Sequence, residues 1–260
     1  MKTILISLIA VGLAAGGCSR AVVVPHVENR DGIIVHLAPC VRNMRDLGGW
    51  RTVNGGRVRT GQVYRSAALN TSYARWYRPN WRIPEASRAY LAGELGIRTD
   101  LDLRKTNEVA GITSSPIGPD VSWQNIPAQA YAAVVTEDGR AAFARMFRLF
   151  LDKRNYPIVF HCRAGRDRAG TLAFLLNGLL GVSDTDLEKD WKYTWIGQGK
   201  RKDDSRSLDS LRKALEGYQG ESIQKRIESF VKSLGFTDAD LLTFREIMLE
   251  PPEENLEAEF

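Results

Sequence analysis

Cysteine and histidine are scarce in this sequence, which has three of each among 260 residues. Three cysteines are too few to build a disulfide framework. The histidines are scattered, and no group of His, Cys, Asp and Glu has the spacing of metal ligands, so we expect neither a metal nor a cofactor. Internal repeats and low-complexity tracts are also missing. With 43% apolar and 26% charged residues, the composition argues against a disordered or fibrous chain and indicates a globular one.

Charge of one sign is not strongly in excess, since the net charge is only +5. Such a mild basic bias identifies no partner by itself, and we expect no nucleic-acid partner. Acidic residues without basic ones are concentrated at the end of the chain, where residues 251–260 predict a solvated acidic tail.

Only one long apolar run is present, at residues 4–15. It follows a positively charged start and precedes Gly16, Gly17 and Cys18, which is the pattern of a secretory signal. The run is shorter than a membrane-spanning helix needs, so we expect no transmembrane helix. Its end resembles the lipobox of bacterial lipoproteins. The resemblance implies a signal peptide at 1–17 and a lipid on Cys18. The protein would then be exported and anchored to the membrane on its periplasmic or cell-surface side, and a plain cleaved signal is the alternative.

The body of the chain reads as one domain over residues 31–250, preceded by a tether at 18–30, because no linker rich in Pro, Gly or Ser divides it. Segments with strand patterns alternate with amphipathic helical segments. This order predicts an α/β fold, with helices flanking a central, mostly parallel sheet and a helical C-terminal part. Strands are predicted at 62–65, 97–103, 121–126 and 157–161, and helices at 85–95, 140–153, 169–180, 184–195, 205–217, 221–234 and 238–249.

One loop combines a nucleophile with a cradle for an anion. Residues 161–171, HCRAGRDRAGT, join a short buried strand to an apolar helix. A loop of this kind directs backbone N–H groups inward and adds the positive end of the helix, which suits a tetrahedral oxyanion. The same field stabilises a thiolate, so Cys162 is expected to be a nucleophile at neutral pH. Arg168 offers a planar fork to two phosphate oxygens, and Gly165 permits the tight turn.

The loop resembles the signature of the cysteine-dependent phosphatases, HC-x5-R-x-G-[ST], and matches each fixed position of it: His161, Cys162, Arg168, Gly170 and Thr171. Its HCxxG[KR]DR form is similar to that of the bacterial tyrosine and lipid phosphatases. Their other motifs are matched by NMRDLGG at 43–49, GQVYRS at 61–66, and a block that ends in Glu108. The resemblance spans residues 30–250 and implies a strand, phosphate loop and helix of the phosphatase type. Arg166 and Ala169 depart from the usual Lys and Thr and leave the nucleophile and the phosphate clamp intact.

The resemblance also implies a mechanism. Cys162 attacks phosphorus while the loop holds the phosphate oxygens, and an acid protonates the leaving oxygen and then activates the water. The family's acid is Asp167, inside the loop, and Asp138, upstream of it, is the alternative. The phosphate-binding residues are Arg163, Ala164, Gly165, Arg166, Asp167 and Arg168.

Three further residues are expected to support the site. Thr171 would donate a hydrogen bond to the departing thiolate, and His161 would orient the loop rather than carry a proton. Asp46, in the NMRDLGG motif, would support the site or only stabilise its own turn. Asp102 and Arg104 are expected to form a structural pair near the loop.

The expected substrate is a phosphorylated protein or a phosphoinositide. Arg163 and Arg166 suit a substrate with more than one phosphate, with solvated arginines as the alternative. Aromatic and arginine residues at 73–82 could line the mouth of the site or face a membrane, or form a packed surface loop. Cys40 is expected to be a buried structural thiol, and pairing with Cys162 under oxidation is the alternative.

Two other functions compete with a phosphatase. Residues 162–166 also resemble the Cys-Arg-x-Gly-x start of a rhodanese-like sulfurtransferase loop, and a non-catalytic phosphate-binding protein is the second possibility. His161, before the cysteine, and Arg168 with Thr171, after it, favour phosphate chemistry. The presence of both Cys162 and Arg168 argues against a protein that only binds phosphate.

Overall fold

A computed structural model describes residues 25–30, 32–71, 81–193 and 205–251. The signal peptide, Cys18, nearly all of the aromatic and arginine segment at 73–82 and the tail after Pro251 lie outside the described residues. The predictions for these segments therefore stay predictions. No helix in the described part has the length and apolar character of a membrane span. The same residues contain no cluster of three or more His, Cys, Asp or Glu side chains suited to a metal ion.

Seven strands form one mixed sheet in the order β1-β2-β3-β4-β7-β5-β6. The four strands β4, β7, β5 and β6 pair in parallel, and β1 to β4 pair antiparallel. The strands are β1 His26–Arg30, β2 Ile33–Leu37, β3 Arg45–Asp46, β4 Val63–Ala67, β5 Thr99–Asp102, β6 Ser122–Asn125 and β7 Ile158–Cys162. The parallel half of the sheet confirms the fold class predicted from the alternating pattern.

Seven α-helices accompany the sheet in the described residues. They are α1 Glu85–Ala89, α2 Glu137–Phe150, α3 Asp167–Leu179, α4 Asp184–Lys192, α5 Ser205–Leu215, α6 Ile223–Lys232 and α7 Asp238–Met248. A π-helical turn, Tyr90–Glu94, extends α1. Helices α2, α4, α6 and α7 are each preceded by a Ser or Thr N-cap whose side chain accepts a hydrogen bond from the first turn. The predicted helices are all present, within a few residues of the expected ends.

Strand β7 shows how the sheet divides the core. Its Ile158 and Phe160 point into the larger cluster of buried side chains, which includes residues of α2, α3, α5, α6 and α7. Val159, between them, points to the smaller cluster on the other face, which includes Ile83 and Leu91. Successive strand residues face opposite sides, so a strand buried on both sides is apolar throughout. This arrangement places the end of β7 in the middle of the molecule.

The predicted tether at 18–30 is wrong for its last residues. His26–Arg30 forms β1, which pairs antiparallel with β2 from His26 opposite Leu37 to Arg30 opposite Ile33. Most of β1 is exposed and polar, so its sequence lacks the apolar alternation by which strands are recognised. The strand forms because β2 offers it a ladder of backbone hydrogen bonds.

Candidate active site

The candidate active site lies at the carboxyl ends of the three parallel strands β4, β7 and β5. Cys162 ends β7 and is paired with Ala67, the last residue of β4. On the other side, His161 is paired with Asp102, the last residue of β5. In open α/β sheets, ligands bind beyond this edge of the sheet. The loop predicted from the sequence therefore occupies the expected ligand-binding position.

Cys162 has a free thiol and is buried, with 2% of its surface exposed. Helix α3 starts at Asp167, five residues further, and its N-cap residue Arg166 makes no side-chain capping bond. The N-terminus of a helix attracts anions through its N–H groups and its dipole. The thiol and an uncapped helix N-terminus thus belong to the same short loop.

Gly165 fixes the path of this loop. Its φ is +66°, in the left-handed region, and a Cβ built on it would lie 2.4 Å from the carbonyl oxygen of Ser66. No side chain fits between the loop and the end of β4. The glycine predicted to permit a tight turn is therefore also required by a close contact between backbones.

Arg168 is held by Glu108, a residue to which the sequence assigned no role. Its Nη1 donates to Glu108 Oε2 at 2.6 Å and to the carbonyl oxygen of Leu103 at 3.2 Å, and its Nη2 donates to Glu108 Oε1 at 3.3 Å. Burial lowers the pKa of Arg168, but its hydrogen bond to the Glu108 carboxylate and the charge of Cys162 outweigh that effect and raise the pKa above its usual value. The guanidinium is thus charged and oriented. The only sequence signal for Glu108 was its position in the matched block.

The structure places Asp167 in the first turn of α3, within the loop itself. Its Oδ1 accepts hydrogen bonds from the hydroxyl of Tyr131 and from Arg166 Nε, the latter at 2.7 Å. The alternative acid, Asp138, is exposed in the first turn of α2. Of the two carboxylates, Asp167 is the one that belongs to the same loop segment as Cys162.

Tyr131 connects a neighbouring segment to the loop. Its backbone has a φ of +58°, and its N–H donates to Thr171 Oγ1 at 2.9 Å. Its ring lies 5.9 Å from that of Trp191. The side chain that reaches Asp167 is therefore anchored on two sides, although no sequence pattern pointed to it.

The hydroxyl of Thr171 does not point to the nucleophile in this structure. It donates to the carbonyl oxygen of Asp167 at 3.0 Å, one turn earlier in α3, and accepts from the N–H of Tyr131. A hydroxyl has a single proton to donate. To donate to the thiolate, the Thr171 hydroxyl would have to give up its hydrogen bond to the backbone carbonyl of Asp167. Stabilisation of the thiolate by Thr171 stays a prediction, whereas its contact with the loop is observed.

His161 lies below the loop between two buried carboxylates. Its Nε2 is 2.9 Å from Asp100 Oδ1, and its Nδ1 is 3.7 Å from Asp102 Oδ1, neither with the geometry of a hydrogen bond. Burial would raise the pKa of Asp102, but the charges of His161 and Arg104 and hydrogen bonds from Arg104 hold it below its usual value. Arg104 Nη2 contacts Asp102 Oδ2 at 2.6 Å. The predicted structural pair of Asp102 and Arg104 is present, whereas the orientation of the loop by His161 stays a prediction.

Asp46 stabilises its own turn. Its Oδ1 accepts from the N–H of Gly48 at 2.8 Å, and its Oδ2 accepts from the N–H of Gly61 at 2.6 Å. Burial raises its pKa to about 6, against the effect of these two hydrogen bonds. Of the two roles considered for Asp46, these contacts favour the structural one.

The two N-terminal motifs that were matched only by resemblance meet behind the loop. Asn43 Nδ2 donates to the carbonyl oxygens of Ala164 and Gly165, at 3.1 and 3.0 Å. Arg65 Nη2 donates to the carbonyl oxygen of Gly165 at 2.8 Å. The loop therefore has partners for its carbonyl groups on the side that faces the protein interior.

The other predicted site residues lie at the surface of the loop. Arg163 and Ala164 are exposed, and Arg166 is half-buried and paired with Asp167. Cys40 is half-buried and disulfide-bonded, in a left-handed conformation with a φ of +60°, so the prediction of a buried thiol at this position is wrong. Because Cys162 is free, the structure contains no Cys40–Cys162 disulfide, and a redox link between them stays a prediction.

A family model and a curated relative both indicate the same protein family. The model of the tyrosine phosphatase family matches residues 37–250. A Cupriavidus necator protein that is named provisionally as a tyrosine-protein phosphatase is 28% identical over 172 residues. That alignment covers 56% of this chain and 58% of the relative, so the chain spans little more than half of that protein's length.

Solved structures are similar at low identity. TpbA of P. aeruginosa is 17% identical, with a TM-score of 0.43 over 70% of this chain and 91% of that one. The catalytic core of the PP-IP phosphatase SIW14 of S. cerevisiae, in complex with citrate, is 14% identical. Its TM-score is 0.36, over 58% of this chain and 87% of that one.

Proposed function

The chain belongs to the tyrosine phosphatase family, and from this we propose that it hydrolyses phosphomonoesters, in the first place phosphotyrosine in proteins, through a cysteinyl-phosphate on Cys162. One observation carries the proposal. The free thiol of Cys162 lies on a loop that leads into the uncapped N-terminus of α3, and the oriented guanidinium of Arg168 belongs to the first turn of that helix. A nucleophile beside an oxyanion cradle is what attack on the phosphorus of a phosphomonoester requires.

In the first step, the Cys162 thiolate attacks phosphorus and a P–S bond forms while the bond from phosphorus to the leaving oxygen breaks. The guanidinium of Arg168 and the loop N–H groups hold the three equatorial oxygens, over which the negative charge of the transition state is spread. Glu108 keeps the guanidinium in place before the substrate arrives. Preorganised groups of this kind lower the barrier because they need no reorientation during the reaction.

Asp167 is the proposed general acid. Both strong contacts of its carboxylate, from Tyr131 and Arg166, are made to Oδ1, whereas Oδ2 has only a 3.4 Å contact with Arg166 Nη2. We therefore assign the transferred proton to Oδ2, which delivers it to the leaving oxygen. In the second step, the same oxygen takes a proton from the water that attacks phosphorus. The P–S bond then breaks, and phosphate and the thiolate are released.

Turnover of p-nitrophenyl phosphate and of a phosphotyrosine peptide tests this proposal. The wild-type protein should release phosphate and be inhibited by vanadate, and Cys162→Ser should be inactive although folded. Thiosulfate and cyanide test the competing sulfurtransferase, since that activity would form thiocyanate and require no phosphoester. Thiocyanate formation without phosphate release would reject the phosphatase.

A phosphoinositide or another substrate with several phosphates is the second candidate. The observation that favours it is that Arg42 and Arg163 are both exposed beside the end of β4. Their carbonyl oxygens accept from the N–H groups of the adjacent residues Ala67 and Ala68, at 2.8 and 3.3 Å. Two exposed guanidinium groups near the loop add positive potential for a second phosphate. Arg163→Ala should then reduce kcat/KM for phosphoinositides more than for phosphotyrosine peptides, and an equal effect on both would reject this candidate.

We further propose that the protein is exported and anchored by a lipid on Cys18, so that its substrates lie on the periplasmic or cell-surface side. The support is the sequence of residues 1–18. Mass spectrometry of the mature protein should find a lipid-modified N-terminal cysteine, and Cys18→Ser should release the protein from the membrane fraction. An N-terminus that still begins at Met1 would reject the proposal.

A further inference from the structure

Asp190 is a buried carboxylate that connects two buried arginines. It lies in the last turn of α4, with 6% of its surface exposed. Its Oδ1 accepts from Arg45 Nε and its Oδ2 from Arg65 Nη1, both at 2.7 Å. Arg45 Nη2 also donates to the carbonyl oxygen of Asp190 at 3.0 Å. Neither guanidinium is exposed, and Asp190 is the carboxylate that both arginines share.

Each arginine transmits this geometry to the phosphate loop. Arg65 Nη2 donates to the carbonyl oxygen of Gly165 at 2.8 Å. Arg45 Nη1 donates to Asn43 Oδ1 at 2.7 Å, and Asn43 Nδ2 in turn donates to the carbonyl oxygens of Ala164 and Gly165. A peptide group is planar, so a carbonyl oxygen fixed towards the interior directs the N–H of the same peptide group away from it.

The charges of the cluster do not cancel. Two guanidinium groups face one carboxylate, which leaves positive charge directly behind the loop. Burial and the charge of Arg45 lower the pKa of Arg65 to about 10, while the charges of Asp190 and Cys162 oppose that change. Arg65 therefore stays protonated at neutral pH. Removing Asp190 would leave two uncompensated charges in the interior, which would then move apart or draw in water.

We propose that Asp190 is a positioning residue of the phosphate loop, which acts through Arg45, Arg65 and Asn43 to keep the loop's N–H groups directed at the bound phosphate. Asp190 touches neither the nucleophile nor the substrate. The inference rests on the proposed function, because it assigns the loop the task of binding phosphate. It adds a residue that lies outside the loop and outside both N-terminal motifs.

Protection of Cys162 from alkylation tests the inference by phosphate binding alone, so it does not depend on catalytic activity. Inorganic phosphate bound in the loop should slow the alkylation of Cys162 by iodoacetamide, measured by mass spectrometry of the full chain. Asp190→Asn keeps the size of the side chain and removes its charge. We expect this variant to need about tenfold more phosphate for half-protection, and its kcat/KM to fall by roughly 100-fold. The control is Glu188→Gln on the same helix, whose partners Lys192 and Arg212 lie on the surface side. It should behave as wild type in both measurements.

A second variant covers the case in which Asp190→Asn does not fold. Asn43→Asp keeps the oxygen that accepts from Arg45 and tolerates the left-handed backbone at this position, where φ is +55°. It replaces the donor that faces the carbonyl oxygens of Ala164 and Gly165 with an acceptor. We expect weaker protection by phosphate and, because the new oxygen faces two carbonyl oxygens, a lower melting temperature, so protection is measured at a temperature where circular dichroism shows the variant to be folded.

The outcomes separate the inference from the function. Protection that is unchanged in a folded Asp190→Asn, or unchanged in Asn43→Asp, would overturn the positioning role. A wild-type protein that is protected by phosphate but hydrolyses no phosphoester would reject the proposed function, and the comparison of variants would still decide the role of Asp190. A wild-type protein that phosphate does not protect would overturn both.

Discussion

Glu108 and Arg168 form a two-pronged ion pair at the active-site loop, with 2.6 Å between Oε2 and Nη1 and 3.3 Å between Oε1 and Nη2. Both side chains are 15% exposed, so the pair is largely shielded from water. Sixty residues separate the two in the sequence. An arginine that binds phosphate with two of its nitrogens must present them in one plane, and the fork of Glu108 already imposes that plane.

Replacing Glu108 by Gln should therefore affect the binding of phosphate. We expect Glu108→Gln to lower kcat/KM by about tenfold or more and to weaken inhibition by inorganic phosphate, because Arg168 loses its orientation. Steady-state kinetics on p-nitrophenyl phosphate measures both. Glu85→Gln is the control, since it removes the surface partner of Arg88 by the same change. Equal kinetics in the two variants would show that Glu108 has no part in the site.

The two candidate acids are distinguished by the same substitution at two positions. Asp167→Asn should lower kcat by roughly 100-fold to 10,000-fold on a phosphotyrosine peptide, the usual contribution of a general acid. The loss should be smaller on p-nitrophenyl phosphate, whose leaving group hardly needs a proton. Asp138→Asn should stay close to wild type, because the residue is exposed at the start of α2. The reverse result would transfer the role to Asp138.

How much of this site was predictable depends on how local its signals are. Cys162, Gly165 and Arg168 lie within seven residues, between an apolar strand and an apolar helix, so both their chemistry and their structural context are visible in the sequence. Asn43 and Arg65 were found only by resemblance to known motifs. Nothing in the residues themselves shows that they contact the loop.

The residues that were missed become neighbours of the loop only through the tertiary fold. Asp190 lies in a helical segment rich in charged residues, where an aspartate usually faces solvent. It is buried because Arg45 and Arg65, which belong to strands of the sheet, form ion pairs with it. Tyr131 lies in a segment without periodicity. Strand β1 was missed for a related reason, because its hydrogen-bond partner rather than its own side chains decides its conformation.

The hydroxyl of Tyr131 is expected to position the carboxylate of Asp167. Tyr131→Phe keeps the ring beside Trp191 and removes the hydrogen bond to Oδ1. A hydrogen bond of this kind contributes about 1 kcal/mol, so kcat should fall about fivefold with little change in KM. Tyr156→Phe is the matched control, since its hydroxyl donates to the carbonyl oxygen of Phe150 in the core. It should lower the melting temperature and leave kcat unchanged, and a similar loss of kcat in both variants would contradict the assignment.

Asp46 should make stability depend on pH. Its folded pKa is raised to about 6 from an ordinary value of 3.8, so between these pH values the folded protein holds a proton that the unfolded chain has lost. The stabilising contribution is complete below about pH 4 and is lost as the pH rises to about 6, by about 3 kcal/mol at most. Urea unfolding between pH 4 and 7 measures it against Asp46→Asn, in which this part of the pH dependence should disappear. Identical pH dependence in both proteins would contradict the raised pKa.

Alanine substitutions at Gly165 and Gly96 separate two effects, the close contact of the loop with β4 and the strain of a left-handed backbone. Both have left-handed backbones, with φ of +66° and +60°, but a Cβ at Gly96 would meet nothing within 4 Å. Gly96→Ala should therefore lower the free energy of unfolding by about 1 kcal/mol and keep full activity. Gly165→Ala carries the same strain and in addition places its Cβ 2.4 Å from the carbonyl oxygen of Ser66, so the loop must move away from β4. We expect a larger loss of stability and a loss of kcat/KM of roughly 100-fold. Thermal unfolding and turnover of p-nitrophenyl phosphate measure the two effects, and a Gly165→Ala variant as active as Gly96→Ala would show that the contact with β4 does not position the nucleophile.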